Sequence, residues 1–233
     1  MPGDLSDGLL WYTVFLFSTV CHEAAHAWTA FKLGDDTAQQ GGQVSLNPLP
    51  HIRREVVGMV VVPLLAWFTA GWMMGWASAP YNQAWARAYP RRAGLMALAG
   101  PAANLGLLLS AALLIRVGLE WRVFDVPFAL SPMHITDAMQ AGAFTWVAKA
   151  LSVVFSLNLL LCVFNLLPIP PLDGSSVPLL LLPAHAAARY FDVMRSPVLR
   201  VIGLLLILRG LGGFFPDLLR WAGGLLYPHV PFN

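Results

Sequence analysis

The chain has 233 residues, of which 58% are hydrophobic and only 11% charged, with a mean hydropathy of +0.65. Soluble globular domains carry about 25% charged residues, so an ordinary water-soluble domain is excluded and an all-α polytopic integral membrane protein is predicted. The formal net charge is +2 and no basic block stands out, which excludes a nucleic-acid partner on electrostatic grounds; the partner that composition implies is the lipid bilayer.

The first apolar run spans about Leu9 to Leu33. Asp4 and Asp7 precede it, where a cleavable leader would carry basic residues, and the run is too long for a leader's apolar core. It therefore reads as a retained membrane span. Its second half holds His22-Glu23-Ala24-Ala25-His26. A helix turns about 100° per residue, so two histidines four apart sit roughly 40° apart on one face and can address one metal ion. Glu23 falls on the flank of that face, where a carboxylate can hold and deprotonate water. The H-E-x-x-H pattern is a zinc-hydrolase signature, with roughly 0.002 matches expected by chance at this composition. Two packing histidines and a stray glutamate are the bland alternative. Against it, ionisable groups at lipid depth cost about 2.5–3.5 kcal/mol each on insertion scales, and a metal is the obvious partner for three of them. Cys21 points about 100° away from His22; with Cys162 it reads as a small buried apolar side chain.

After Gly34, Asp35 and Asp36, the stretch Gln40 to Pro50 alternates polar and apolar residues like a strand between glycine and proline punctuation. An open sheet edge cannot face lipid, so a short β segment is expected at the interface or re-entrant beside the first helix. A second apolar run covers about Val56 to Ala77, interrupted by Pro63 and Gly71. The polar linker from Pro80 to Arg92 separates it from a third run, about Ala93 to Val117, which contains Ala99-Gly100-Pro101-Ala102-Ala103-Asn104. Small residues there let another backbone come close. Glu120 to Ala141 reads as a loop with a short surface helix. The fourth run, about Gly142 to Leu167, ends in Asn165 through Gly174, where Pro168, Pro170 and Pro171 break the helix. A broken backbone at membrane depth must be buried in protein or line a watery cavity, so the break should face the first helix's histidines. Short apolar sequence from Ser175 to Pro183 follows, then a polar turn with Arg189, Asp192 and Arg195. A last span, about Val198 to Phe215, precedes an amphipathic piece, Asp217 to Tyr227, suited to the interface.

These runs predict five to six transmembrane helices in one domain over 1–233, with a core at about 9–175 and C-terminal helices at 176–233. Orientation conflicts with itself. Lys32, Arg53 and Arg54 follow the first span and ask to be cytoplasmic, as do Arg87, Arg91 and Arg92. Both groups cannot be if Val56–Ala77 crosses once, so either that run is re-entrant or one loop breaks the rule.

Catalytic zinc takes three protein ligands and keeps one position open. Asp173 is the best third candidate, being the carboxylate within an apolar, backbone-broken segment; Glu120 and Asp137 lie in polar loops. A turn residue capping the next segment is the alternative for Asp173. His/Asp ligation also admits another divalent metal.

At this point the sequence resembles the site-2 protease family of intramembrane zinc metalloproteases, in its short bacterial form. Three motifs match in order: His22 to His26, Gly100 to Asn104, and Asn165 to Gly174, with Gly41 to Ile52 similar to the family's glycine-led strand. The resemblance implies that His22, His26 and Asp173 bind one zinc ion per chain. It implies that Glu23 activates water and later gives the proton to the leaving amine, and that Asn165, eight residues before Asp173, holds substrate backbone or the developing oxyanion. Asn104 is expected to pack or orient the helix core. The substrate would be a transmembrane protein, locally unwound and paired by β-augmentation with Gly42, Val44, Leu46 and Asn47. The implied location is a bacterial plasma (inner) membrane. Gln43 and Arg53-Arg54 depart from the family pattern, and no stretch is long and polar enough for an inserted PDZ or CBS domain. His51 is expected in an interfacial loop, with lining the cavity as the alternative, and His134, His185 and His229 at the surface. Two other classes compete: a catalytically silent scaffold, which would usually lack the glutamate or a ligand, and a metal transporter, which would show repeats and paired broken helices that are not found here.

Overall fold

The long apolar runs fold as the helices that frame the molecule. A computed structural model describes residues 4–230 and Phe232. In chain order it contains α1 (Leu5–Lys32), α2 (Thr37–Gln40), α3 (Pro48–Arg54), a π-helical turn (Val57–Val61) that runs into α4 (Val62–Ala70), α5 (Gln83–Ala88) and α6 (Pro90–Glu120). After these come β1 (Phe124–Asp125), β2 (Asp137–Ala138), α7 (Ala143–Asn165), a 3-10 helix (Asp173–Leu180), α8 (Ala184–Met194) and α9 (Pro197–Leu226). Helices α6 and α7 are long and apolar enough to cross a membrane.

Helix α6 is the central element, packed against both α1 and α7. Lys149 Nζ donates to Asp7 Oδ1 at 2.7 Å and ties together the N-terminal ends of α1 and α7, so these two run parallel. At the same end, Arg116 near the C-terminus of α6 donates to Leu226 O at the end of α9 at 3.0 Å. Trp11 and Phe15 of α1 pack with Trp67, Met73, Val153 and Leu157 in one core cluster. A second cluster joins Ile115 of α6 and Phe155 and Leu159 of α7 to Leu218 and Leu219 of α9.

The run 56–77 does not form one straight helix. It descends along α1 as the π-turn and α4, reverses at Gly71, which has φ +73°, and returns extended. The two arms are stitched near their open end: Trp76 N donates to Gly58 O at 3.1 Å, Arg54 Nε donates to Ser78 O at 3.1 Å, and Ser78 Oγ donates to Glu55 Oε1 at 2.5 Å. At the closed end, the Trp67 ring lies so close to Gly8 that a Cβ there would be 2.9 Å from its Cε2. Arg53 and Arg54 therefore share one end of the molecule with Arg87, Arg91 and Arg92. Because the chain doubles back over 56–78, the two arginine groups that conflict in the sequence lie on the same side of it.

Other expectations need correction. No strand forms over Gly42–Asn47. Thr37–Gln40 is a helical turn, Gly42 takes φ +73°, and Asn47 Oδ1 accepts from Leu49 N at 3.0 Å to cap α3, with Pro48 at its first position. A strand needs a hydrogen-bonded neighbour, and among the described residues none pairs with this stretch. The two-stranded antiparallel sheet sits instead in the α6–α7 connection, pairing Phe124 with Ala138 and Asp125 with Asp137. That connection carries no helix; Ser152 Oγ of α7 holds it by accepting from Ile135 N at 3.0 Å and Thr136 N at 3.2 Å. The polar turn around Arg189 is an amphipathic helix, α8. The last span and the amphipathic piece are one helix, α9, which continues through Pro216. Proline removes one hydrogen bond, and Phe215, Leu218 and Leu219 on either side of it are buried.

Candidate metal centre

Helix α1 presents His22, Glu23 and His26 on its buried face, each less than 8% exposed. His22 Nε2 and His26 Nε2 lie 2.9 Å apart. Asp173 Oδ2 completes a triangle, 3.1 Å from His22 Nε2 and 3.2 Å from His26 Nε2. The histidines and the aspartate, 147 residues apart at the nearest, meet because the chain folds back after α7. Gly174 makes that fold possible: a Cβ there would collide with the carbonyls of Leu166 and Leu167. Ser175 Oγ donates to Leu172 O at 2.7 Å, and from α8 the Tyr190 hydroxyl donates to Ser175 O at 2.8 Å.

Whether the three groups suit a metal follows from what their other atoms do. Met96 O accepts from His26 Nδ1 at 2.7 Å. A backbone carbonyl only accepts, so that nitrogen carries the ring hydrogen and Nε2 offers a lone pair. His22 Nδ1 donates to Asn104 Oδ1 at 2.5 Å, leaving its Nε2 in the same state. Two lone pairs and a carboxylate oxygen thus point at one another within 3.2 Å. That arrangement repels itself unless a cation sits among them. Donors around a tetrahedral zinc, with bonds of about 2.0–2.1 Å, are about 3.3–3.4 Å apart, close to the triangle's edges. Among the described residues this is the cluster that could hold a metal ion. Beside it, Glu23 Oε2 is buried with no hydrogen-bond partner among the described residues.

The pocket depends on a missing side chain. Gly100 of α6 lies under both imidazoles, and a Cβ there would be 2.5 Å from His22 Nε2 and would collide with His26 Nε2. In the sequence Gly100 marks a point of close helix contact; in the structure that contact is with the histidines themselves. Asn104, expected to orient the core, does so by holding His22. Asn165 closes α7, partly buried, at the start of the segment that delivers Asp173.

The residues Gly42, Val44, Leu46 and Asn47 are not part of the triangle. They lie in the loop between α2 and α3, with Leu46 64% exposed, and no N–H of Val44 or Leu46 makes a backbone hydrogen bond among the described residues. His51 is not an interfacial loop residue. It is 1% exposed on α3, and its Nε2 donates to Ser45 O at 3.0 Å, clamping that loop. Asn158 of α7 went unnoticed in the sequence. An amide in the middle of a 23-residue apolar helix is the signal that could have found it, because such groups are costly at that depth unless partnered.

No protein-family profile matches the chain, and no solved structure matches it. Four curated proteins do, among them the following three. "Putative zinc metalloprotease YwhC" of Bacillus subtilis strain 168 is 38% identical over 162 residues, 68% of this chain and 63% of that protein. "Putative zinc metalloprotease Rip2" of Mycolicibacterium smegmatis is 32% identical over 161 residues, 69% of this chain and 52% of its own. The Rip2 of Mycobacterium tuberculosis strain H37Rv is 33% identical over 161 residues, with the same coverage. The chain spans about half to 63% of the length of these relatives. Identity at this level, over more than two thirds of the chain, makes it a homologue of these proteins, which are members of the site-2 protease family.

Proposed function

We propose that the chain is an intramembrane zinc metalloendopeptidase, hydrolysing peptide bonds in or near transmembrane segments of membrane-protein substrates, as in regulated intramembrane proteolysis. The observation that carries this reading is the triangle of three facing acceptors, His22 Nε2, His26 Nε2 and Asp173 Oδ2, beside a buried glutamate with an unpaired oxygen. One zinc ion held by these three residues would supply Lewis acidity, polarising a carbonyl and acidifying water. Glu23 takes the proton from the attacking water as the C–O bond forms. It returns that proton to the amine nitrogen as the C–N bond breaks, so one carboxylate serves both steps and ends as it began. Asn165 donates its amide N–H to the substrate carbonyl oxygen as negative charge develops, a role worth about 10²–10³ in rate.

The substrate contact is the loop of Gly42, Val44, Leu46 and Asn47. The N–H groups of Val44 and Leu46, unbonded among the described residues, suit pairing with an extended, unwound substrate segment, and the exposed Leu46 suits an apolar one. Proline at Val44 or Leu46 should cut cleavage and spare zinc binding. Helices α1, α6, α7 and α9 cross the membrane and the 56–78 hairpin re-enters it, fewer full crossings than the five to six counted from apolar runs. Lys32, Arg53, Arg54, Arg87, Arg91 and Arg92 gather at one end, which is then cytoplasmic, with the N-terminus outside. His22 lies ten residues and His26 six residues from Lys32, so at 1.5 Å per residue the centre is about 9–15 Å from that end. The membrane is a bacterial plasma membrane.

The test pairs metal content with cleavage of model single-span substrates by detergent-purified protein. Wild type should hold about one zinc and cut. Glu23→Gln should hold zinc and cut at least about 10²-fold more slowly. Folded wild type that binds no zinc would overturn the reading, as would a Glu23→Gln protein that cuts at the wild-type rate.

A further inference from the structure

The two histidines are fixed by unequal means. His26 bonds a backbone carbonyl directly. His22 bonds a side-chain amide, and an amide can present either end, since its oxygen and nitrogen differ only in what they bond. If Asn104 turned its nitrogen towards His22, the imidazole would accept at Nδ1, carry its hydrogen on Nε2, and have no lone pair for a metal. Something must decide which way Asn104 faces.

The structure traces that decision to α7. Asn104 Nδ2 donates to Asn158 Oδ1 at 2.7 Å. Asn158 Nδ2 in turn donates to Val154 O at 2.8 Å and to Ser18 Oγ at 2.9 Å. Val154 O is the one group in this series with a single possible role, because a carbonyl oxygen cannot donate. It therefore holds the nitrogen of Asn158, which turns the Asn158 oxygen to Asn104, which turns the Asn104 oxygen to His22. Ser18, Asn104 and Asn158 are all fully buried, at 0% exposure, so no water competes for their polar atoms.

We propose that Asn158, which touches neither the metal ligands nor the substrate, is a positioning residue that sets which ring nitrogen of His22 carries the hydrogen, and through it the zinc affinity. This rests on the reading that the His22, His26 and Asp173 triangle binds zinc. Partners of metal-ligating histidines are typically worth 10–100-fold in metal affinity. Asn158 acts one residue further out and removes the bias without removing the acceptor, so the lower end, about tenfold, is expected.

The experiment measures zinc affinity of the full chain in detergent by chelator competition, for Asn158→Ser in the wild-type background and in Asn104→Asp. Serine at 158 can bond back to Val154 O, as mid-helix serines do, so it buries no unpaired group, yet it cannot hold Asn104. A carboxylate at 104 has only acceptors to show His22, so the orientation no longer depends on 158. Asn158→Ser should lose about tenfold in zinc affinity alone and less than about twofold in the Asn104→Asp background. Selectively ¹⁵N-labelled histidine spectra of the metal-free proteins should show His22 shifting from the Nδ1–H form towards a mixture in Asn158→Ser only. Unchanged affinity, or an equal loss in both backgrounds, overturns the proposal, the second outcome marking Asn158 as a packing residue. Wild type that binds no zinc defeats the metal reading itself, and the labelled spectra still report on the relay. If Asn158→Ser does not fold, Asn158→Ala takes its place in both backgrounds.

Discussion

Gly100→Ala is the most economical probe of the metal centre, because α6 carries its own control. A methyl group at 100 would stand 2.5 Å from His22 Nε2 and 2.6 Å from His22 Cε1, and would collide with His26 Nε2. Both imidazoles must move to admit it. In the metal-free protein they can rotate away; in the zinc-bound protein they cannot without leaving the ion. The strain therefore falls on the bound state. Overpacking of this kind costs about 1–3 kcal/mol, and at 1.4 kcal/mol per factor of ten that is roughly a 5- to 150-fold weaker zinc affinity. Alanine also favours the helix over glycine by about 1 kcal/mol, but this acts on both states alike and cancels in a binding constant. Gly106, on the same helix, has nothing within 4 Å of a Cβ, so Gly106→Ala should leave zinc affinity unchanged and raise the thermal midpoint. Chelator competition and thermal unfolding of both variants give the comparison. Wild-type zinc affinity in Gly100→Ala would refute the placement of the histidines over α6.

The remaining predictions address the ion and the hairpin. Zinc at about 100 times its dissociation constant should stabilise the stripped protein by about 2.7 kcal/mol, seen as a raised thermal midpoint, and Asp173→Ala should abolish that rise; equal stabilisation of both would remove Asp173 from the ligand set. Gly75→Ala places a methyl against Gly58 O, 2.7 Å from Phe15 Cζ and 2.9 Å from Pro63 Cγ, and should destabilise the fold by about 1–3 kcal/mol, whereas Gly71 has open space and positive φ, so its cost to alanine is backbone strain alone. With Cys21 and Cys162 replaced, single cysteines at Arg54 and Arg87 should label with a membrane-impermeant maleimide from the same side of sealed vesicles. Labelling from opposite sides would mean that 56–77 crosses the membrane and that the hairpin is wrong.

What the sequence disclosed, and what it hid, divides by range. His22, Glu23 and His26 were legible because helical periodicity alone puts them together, and Asp173 because three prolines mark a backbone break that needs a reason. Alternation alone makes Gly42–Asn47 look like a strand, yet Asn47-Pro48 is a helix-start signal and the structure uses it as one, with Asn47 Oδ1 capping α3. The run 56–77 is long enough to cross a membrane, and nothing local says that it doubles back; that is decided by the fit of Gly58 and Gly75 against the opposite arm. The relay from Val154 to His22 is harder still, since Ser18, Asn104 and Asn158 belong to three helices and no spacing connects them. Each is a polar side chain in an apolar helix, and a buried polar group without a partner costs about 1–3 kcal/mol. In a chain with so few such groups at helix centres, each has few others to pair with, and a histidine that must keep one nitrogen for a metal requires an acceptor for the other. The chemistry at His22 thus demands a second residue, and that residue, being an amide, demands a third. The polar residues in the middle of α6 and α7 satisfy that requirement before they satisfy packing.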